Sequence, residues 1–155
     1  MPKLVTSRGD YGLLLMAFLS EKLVDGPQPI SKAANYFHLP QPFLEQIALD
    51  LRRAHLLGSR RGKGGGYFLV RSPERISVIE VIEALEGPLH MVTCQLTDCV
   101  AAGECLTRDF WLILQRHLHK TLREVTLADL VTHAPHQLLP IAGSVVANSQ
   151  LKRRR

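Results

Sequence analysis

Apolar positions recur along this chain mostly with a helical period. From Asp10 to Glu21, Tyr11, Leu14, Leu15, Phe18 and Leu19 fall three and four residues apart and predict an amphipathic helix. Thr6 or Ser7 offers a capping hydroxyl, and Asp10 lies in the first turn, where a negative charge suits the helix dipole. Asp25-Gly26-Pro27-Gln28-Pro29 interrupts the pattern and predicts a loop. A short helix is expected over Ile30–Phe37, a tight turn at His38-Leu39, and a second helix from Pro42 to Ala54. In that second helix Leu44, Ile47, Ala48 and Leu51 form the core stripe, while Phe43, Gln46, Asp50 and Arg53 fall on another side.

The period then shortens. Leu56–Ser59 and Tyr67–Val70 predict two short strands, and Arg60-Arg61-Gly62-Lys63-Gly64-Gly65-Gly66 lies between them. This tip has three cations for phosphates and four glycines that let the backbone turn and approach a ligand. A helix-turn-helix followed by such a hairpin is a winged helix. A nucleotide phosphate loop is the competing reading. It is disfavoured because the segment lacks Gly-x4-Gly-Lys-Ser/Thr and does not lead from a strand into a helix. The bland alternative is a solvated basic loop.

Helical spacing resumes at Val78–Leu85, with Ser77 as cap and Gly87-Pro88 as the stop. Over Thr107–Val125, Trp111, Leu114, Leu118, Leu122 and Val125 step in threes and fours, close to a coiled-coil seam. The other side carries Arg108, Arg116, His117, Lys120, Arg123 and Glu124. Few helices remain to cover so long a seam, which predicts a homodimer, and a symmetric dimer suits a palindromic DNA site. Thr126 caps a last helix, Leu127–Val131. From His133 onward, prolines, small residues and the Lys152-Arg153-Arg154-Arg155 end predict a mostly disordered basic tail.

Composition adds a polyanionic partner to this picture. The formal net charge is +5 over 155 residues, with 46% hydrophobic and 21% charged positions, which is ordinary for a globular domain with a buried core. No apolar run reaches the ~18 residues that a membrane helix needs. The N-terminal stretch lacks the apolar block of a signal peptide, so a cytoplasmic location is expected, where thiols stay reduced. No Ser-His-Asp arrangement, paired-carboxylate motif or phosphate loop argues for an enzyme, and no small-molecule substrate is expected.

All three cysteines lie within twelve residues, Cys94-x4-Cys99-x5-Cys105. An odd cluster of this kind in a reducing compartment favours metal or redox chemistry over a disulfide framework. Three thiolates plus one further donor also satisfy tetrahedral zinc, although this loop has no Cys-x2-Cys knuckle. Candidates for a fourth ligand include His90, His117, His119, Asp98 and Glu104, each more often an ordinary surface residue, and an exogenous thiol or water.

Three stretches in order carry a resemblance. They are Leu44-Glu45-Gln46, Arg61-Gly62-x-Gly64-Gly65-Gly66-Tyr67, and the cysteine loop followed by Leu106-Thr107. Over about Leu4 to Val131 the chain resembles the iron–sulfur winged-helix transcriptional regulator family typified by IscR and NsrR. The resemblance implies a homodimeric transcription factor, a repressor, that binds double-stranded DNA at a palindromic operator. It implies an iron–sulfur cluster on Cys94, Cys99 and Cys105, with a 4Fe-4S centre favoured and a 2Fe-2S centre as the alternative. It also implies that Gln46 and its neighbours read the major groove while Arg61 enters the minor groove, with Glu45 at a position that tunes operator choice. The DNA-binding set expected is Gln41, Phe43, Glu45, Gln46, Arg52, Arg53, Arg60, Arg61, Lys63 and Tyr67.

Departures from the family pattern matter as much. A histidine three residues after the last cysteine is replaced by Arg108, which stays protonated and is no ordinary ligand. Pro40 and Pro42 replace serines at the start of the recognition helix, and Phe43 stands where tyrosine is common. Aligning Thr6-Ser7-Arg8-Gly9-Asp10-Tyr11 with the family N-terminus puts Asp10 on an aspartate that ligates a four-iron cluster from the partner subunit in an NsrR-like protein. Asp10 is therefore the preferred fourth ligand. A carboxylate holds iron less firmly than a thiolate, which suits a sensor of iron, redox state or nitric oxide. The alternative function is a winged-helix adaptor, zinc-binding or cluster-free, regulated by a partner protein.

The fold class expected is mainly α with a small β-hairpin wing: a winged helix-turn-helix plus a long dimerisation helix. The organisation expected is a DNA-binding domain over 1–88, a cluster loop over 89–106, a dimerisation helix and short C-terminal helix over 107–134, and a tail over 135–155.

Overall fold

The computed structural model describes residues 5–92 and 105–132. The first helix, α1 (Ser7–Glu21), begins three residues before the expected start at Asp10. Thr6 caps it, its hydroxyl accepting from the Arg8 backbone N–H at 3.1 Å, and Asp10 lies in the first turn. A second carboxylate completes this end from far along the chain: Glu86 Oε1 accepts from Gly9 N at 2.9 Å and from the Thr6 hydroxyl at 2.5 Å. A helix N-terminus has donors without intrahelical partners, and Glu86 satisfies one of them.

α2 (Ile30–Phe37) and α3 (Gln41–Arg53) form the helix-turn-helix. The turn between them passes through His38 in the left-handed region, φ 54°, and Leu39 N closes it on Ala34 O at 2.9 Å. Pro40 is the N-cap of α3 and Pro42 its second residue, not its first, so neither ring removes a needed donor. Leu44, Ile47, Ala48 and Leu51 are fully buried, as the period predicts.

The wing is the antiparallel hairpin β1 (Leu57–Arg60) and β2 (Gly66–Leu69), with Leu57 opposite Leu69 and Arg60 opposite Gly66. Both strands sit one residue nearer the tip than expected. A bridge then ties the wing to the start of the helix-turn-helix: Gln28 N donates to Tyr67 O at 2.9 Å, and Tyr67 N to Gln28 O at 2.8 Å. The chains approach so closely that a Cβ on Gly66 would lie 2.2 Å from the Gln28 carbonyl carbon, and the Gly66 φ of +150° adds to the demand for glycine.

α4 (Val78–Glu86) starts in a capping box, with Ser77 N and Ser77 Oγ each 2.9 Å from Glu80 Oε2. α1 packs against α3, α4 and α6, so one core holds the head together. α5 (Arg108–Glu124) runs out from Cys105 and returns through α6 (Leu127–Val131), which has the predicted bounds and the predicted Thr126 cap. Backbone bonds Val78 N to Val125 O and Leu127 N to Ile76 O, both 2.9 Å, staple that return to the head. The predicted tail lies outside the described residues.

Candidate nucleic-acid interface and cysteine loop

Burying one stripe of α3 leaves the other face outward. Gln41, Phe43, Glu45, Gln46, Arg52 and Arg53 are exposed on it. Phe43 leans on Tyr11 of α1, the two rings edge to face with centroids 5.8 Å apart, so the start of α3 is braced from below. Along the helix, Gln41 Nε2 donates to Glu45 Oε1 at 2.7 Å and Gln46 Nε2 to Asp50 Oδ2 at 3.4 Å. Arg52 reaches toward the wing and donates to Ser59 Oγ at 3.2 Å.

The wing tip is open. Arg60, Arg61 and Lys63 are exposed, and the backbone turns through Gly62 and Gly64 at φ 94° and 75°. Arg60 Nη2 donates back to Gly64 O at 3.1 Å, shaping the loop that carries Arg61. Tyr67 is half-buried at the wing base, in the bridge to Gln28. The fold thus brings the ten predicted DNA-binding residues onto two adjoining elements, with Arg52 joining them.

Asp50 is the residue on this helix that the spacing undervalued. Its carboxylate takes Arg8 from α1 and Arg53, with Arg53 Nη1 at 2.8 Å from Oδ1. Burial acts to raise the Asp50 carboxyl. The Gln46 hydrogen bond and the Arg8 and Arg53 charges outweigh it and hold the group below its usual range. Asp50 and Arg8 are 42 positions apart, and no local periodicity links them.

The predicted metal ligands are divided. Cys94 and Cys99 lie outside the described residues. Cys105 is half-exposed three residues before the start of α5. The Thr107 hydroxyl, 3.6 Å from Sγ, and the backbone of Thr107 and Arg108 hold its thiol below the usual value, and the Arg108 charge adds to this. A thiol so placed fits thiolate ligation. Asp10 is exposed on the outer side of the first turn of α1. His119 is engaged elsewhere, within 3.0 Å of Leu89 O and 2.5 Å of Gln115 Nε2. Among the described residues, no three His, Cys, Asp or Glu side chains converge as a metal site.

α5 has no fully buried residue. Its last turns are half-covered, Leu122 and Val125 packing on Val78, Ile82 and Leu89. Its first turns are not: Phe110 is 58% exposed, Ile113 48% and Leu114 37%. Among the described residues no helix is long and apolar enough to cross a membrane.

A helix-turn-helix with a glycine-rich basic wing and an emergent amphipathic helix defines a winged-helix transcriptional regulator. The match over residues 5–133 to the family described as "Rrf2: Iron-dependent Transcriptional regulator" places it further: the chain belongs to the Rrf2 family. It is 32% identical over 130 residues to the HTH-type transcriptional regulator IscR of Yersinia pseudotuberculosis, covering 83% of this chain and 79% of that one. It is also 32% identical over 129 residues to the HTH-type transcriptional regulator CymR of Bacillus subtilis, covering 83% and 90%. The solved structure of that CymR, titled the global cysteine regulator, superposes with a TM-score of 0.75 over 85% of this chain and 98% of that one, at 32% identity. T. potens IscR superposes with a TM-score of 0.69 over 87% and 90%, at 31% identity. The named relatives are transcriptional regulators, not enzymes.

Proposed function

We propose that this protein is a homodimeric, cytoplasmic, DNA-binding repressor that senses iron, redox state or nitric oxide through an iron–sulfur cluster. Cys94, Cys99 and Cys105 hold the cluster, 4Fe-4S in preference to 2Fe-2S, with Asp10 of the partner subunit as fourth ligand. The observation that carries this reading is the position of Cys105. Its lowered, half-exposed thiol lies three residues before α5, whose first turns carry the exposed Phe110, Ile113 and Leu114. The cysteine loop therefore feeds straight into the helix that a second copy would cover. When bound, the cluster supplies a centre that oxidants, nitric oxide or iron scarcity dismantle.

The chain's own residues do the rest. Arg108 keeps a positive charge beside Cys105 and favours its thiolate. α5 passes any change at the loop to the dimer contact, and the return through α6 passes it to the head. Within the dimer, Gln41, Phe43, Glu45, Gln46, Arg52 and Arg53 meet the major groove. Arg61, flanked by Arg60 and Lys63 and with Tyr67 at the wing base, enters the flanking minor groove. Two such heads read half-sites about one helical turn, ~34 Å, apart on a palindrome. On this reading residues 1–88 are the DNA-binding domain, 89–106 the cluster loop, 107–134 the dimerisation region and 135–155 a basic tail.

The test is the anaerobic absorption spectrum, read together with operator binding. Cys105→Ala is expected to abolish a stable cluster, and Asp10→Ala to leave an altered or labile one. An Asp10→Ala spectrum identical to that of the unmodified protein removes Asp10 as a ligand. A second reading, a cluster-free or zinc-binding regulator controlled by a partner protein, is favoured by the likeness to a structure titled as a global cysteine regulator and by Arg108 at the family's histidine position. It predicts a colourless protein whose DNA binding is indifferent to iron.

A further inference from the structure

We infer that Asp50 is a specificity-determining positioning residue: it fixes the polarity of the Gln46 amide, so that the Gln46 carbonyl oxygen leads into the DNA and selects a base bearing an exocyclic amino group. This rests on the DNA-binding reading above and deepens it.

The geometry is specific about which end of Gln46 is held. Gln46 Nε2 is 3.4 Å from Asp50 Oδ2, one helical turn toward the C-terminus. The reversed amide would set its carbonyl oxygen against a carboxylate, which offers no proton once ionised. Asp50 is ionised across the physiological range, because Gln46, Arg8 and Arg53 hold its carboxyl low against the opposing effect of burial. The reversed orientation is therefore disfavoured as long as Asp50 is ionised.

Asp50 is held from two elements. The Asp50 side chain is 15% exposed, and Arg8 reaches it from α1 while Arg53 reaches it from the next turn of α3. Arg8 Nε is buried without a hydrogen-bond partner among the described residues. The same polarity recurs one turn earlier, where Gln41 Nε2 donates to Glu45 Oε1 at 2.7 Å. Both exposed glutamines of α3 thus have their nitrogens drawn back along the helix and their oxygens released.

In the major groove, adenine offers N6–H beside N7, and cytosine offers N4–H. Guanine presents O6 and N7, and thymine O4, all acceptors that oppose the Gln46 oxygen. The second Gln46 N–H stays available, so adenine is met at both ends and is the best partner.

The experiment is selection of duplexes from a randomised double-stranded DNA library by the full-length protein, followed by sequencing. The unmodified protein is expected to enrich adenine or cytosine over guanine and thymine at one position per half-site, by at least roughly fivefold, the lower edge of what a bidentate contact discriminates. Gln46→Met should erase the preference at that position alone. Asp50→Ala should bring it toward parity there while other positions keep theirs. Asp50→Asn, which keeps the shape and adds a donor that the Gln46 oxygen can accept from, should do the same and serves if Asp50→Ala does not fold. Arg8→Met should lower the thermal midpoint yet keep the base preference, since the Gln46–Asp50 contact lies within α3. Unchanged base frequencies in the folded Asp50 variants overturn the inference. So does a Gln46→Met protein that weakens on all sequences equally, which would make Gln46 a phosphate contact. If the unmodified protein selects no sequence, the DNA-binding reading fails instead.

Discussion

α3 and α5 are both amphipathic helices, and the fold treats them in opposite ways. α3 buries Leu44, Ile47, Ala48 and Leu51 completely within its own chain. α5 is longer, 17 residues against 13, and buries none. Once the apolar stripe of α3 is satisfied, its polar face is left to do chemistry with an external partner. α5 is the reverse case: its polar face is solvated, and the apolar side chains of its first turns stay exposed. The same periodicity in sequence thus encodes a finished surface in one place and an unfinished one in another. What differs is how much core the rest of the chain supplies.

The largest expected effect tests the unfinished side. Replacing Phe110 and Ile113 together with aspartate removes two apolar side chains from the proposed dimer contact, at about 1.5–3 kcal/mol each. Sedimentation velocity should show a monomer that retains the head's unfolding transition. If the double variant stays dimeric, α5 is not the contact. Leu44→Ala is the matching test of the finished side and should destabilise the head by about 2–5 kcal/mol in urea unfolding. Its effect on oligomeric state should appear only once the head unfolds.

A smaller effect belongs to the wing. Arg61→Ala should weaken operator binding by ~1–3 kcal/mol and relax preference in the flanking base pairs, as read by fluorescence anisotropy on flank-substituted duplexes. An unchanged flank preference removes Arg61 from the minor groove.

The smallest effect is on acid stability. Asp50, Glu80 and Asp129 all titrate below their usual values. For Asp50 and Glu80 the hydrogen bonds and nearby arginines outweigh burial, and for Asp129 the Thr126 hydroxyl and N–H dominate. A depressed carboxyl binds its proton more readily in the unfolded chain. Its contribution is therefore complete above the unfolded value and is lost as pH falls through the folded one. Stability should decline on the acid side, and Asp50→Asn should flatten that decline. An acid limb identical in slope would show that the Asp50 network does not contribute.

Much of this was legible in the sequence because local rules decide it. The bounds and cap of α6 follow from Thr126 and a short apolar run, and the core stripe of α3 follows from its period. The one-residue slip of the wing strands has a physical reason. Gly66 carries no apolar signal, yet pairs with Arg60 because only a glycine fits beside the Gln28 backbone. The first turn of α1 is not legible in the period because Ser7, Arg8 and Gly9 carry no periodic apolar residue, and what holds this end is Glu86, roughly eighty positions away. The period places Asp50 on the correct face but assigns it no role, since Arg8 reaches it only after α1 has packed on α3. Side chains that meet across the core are set by tertiary packing, and spacing alone does not reveal them.

The most direct test of the central claim is native mass spectrometry of the full-length protein purified without air. A dimer carrying four irons and four inorganic sulfides per subunit is expected, falling to an apo mass when Cys105 is replaced by alanine. A colourless species with zinc, or with no metal on any subunit, would contradict it.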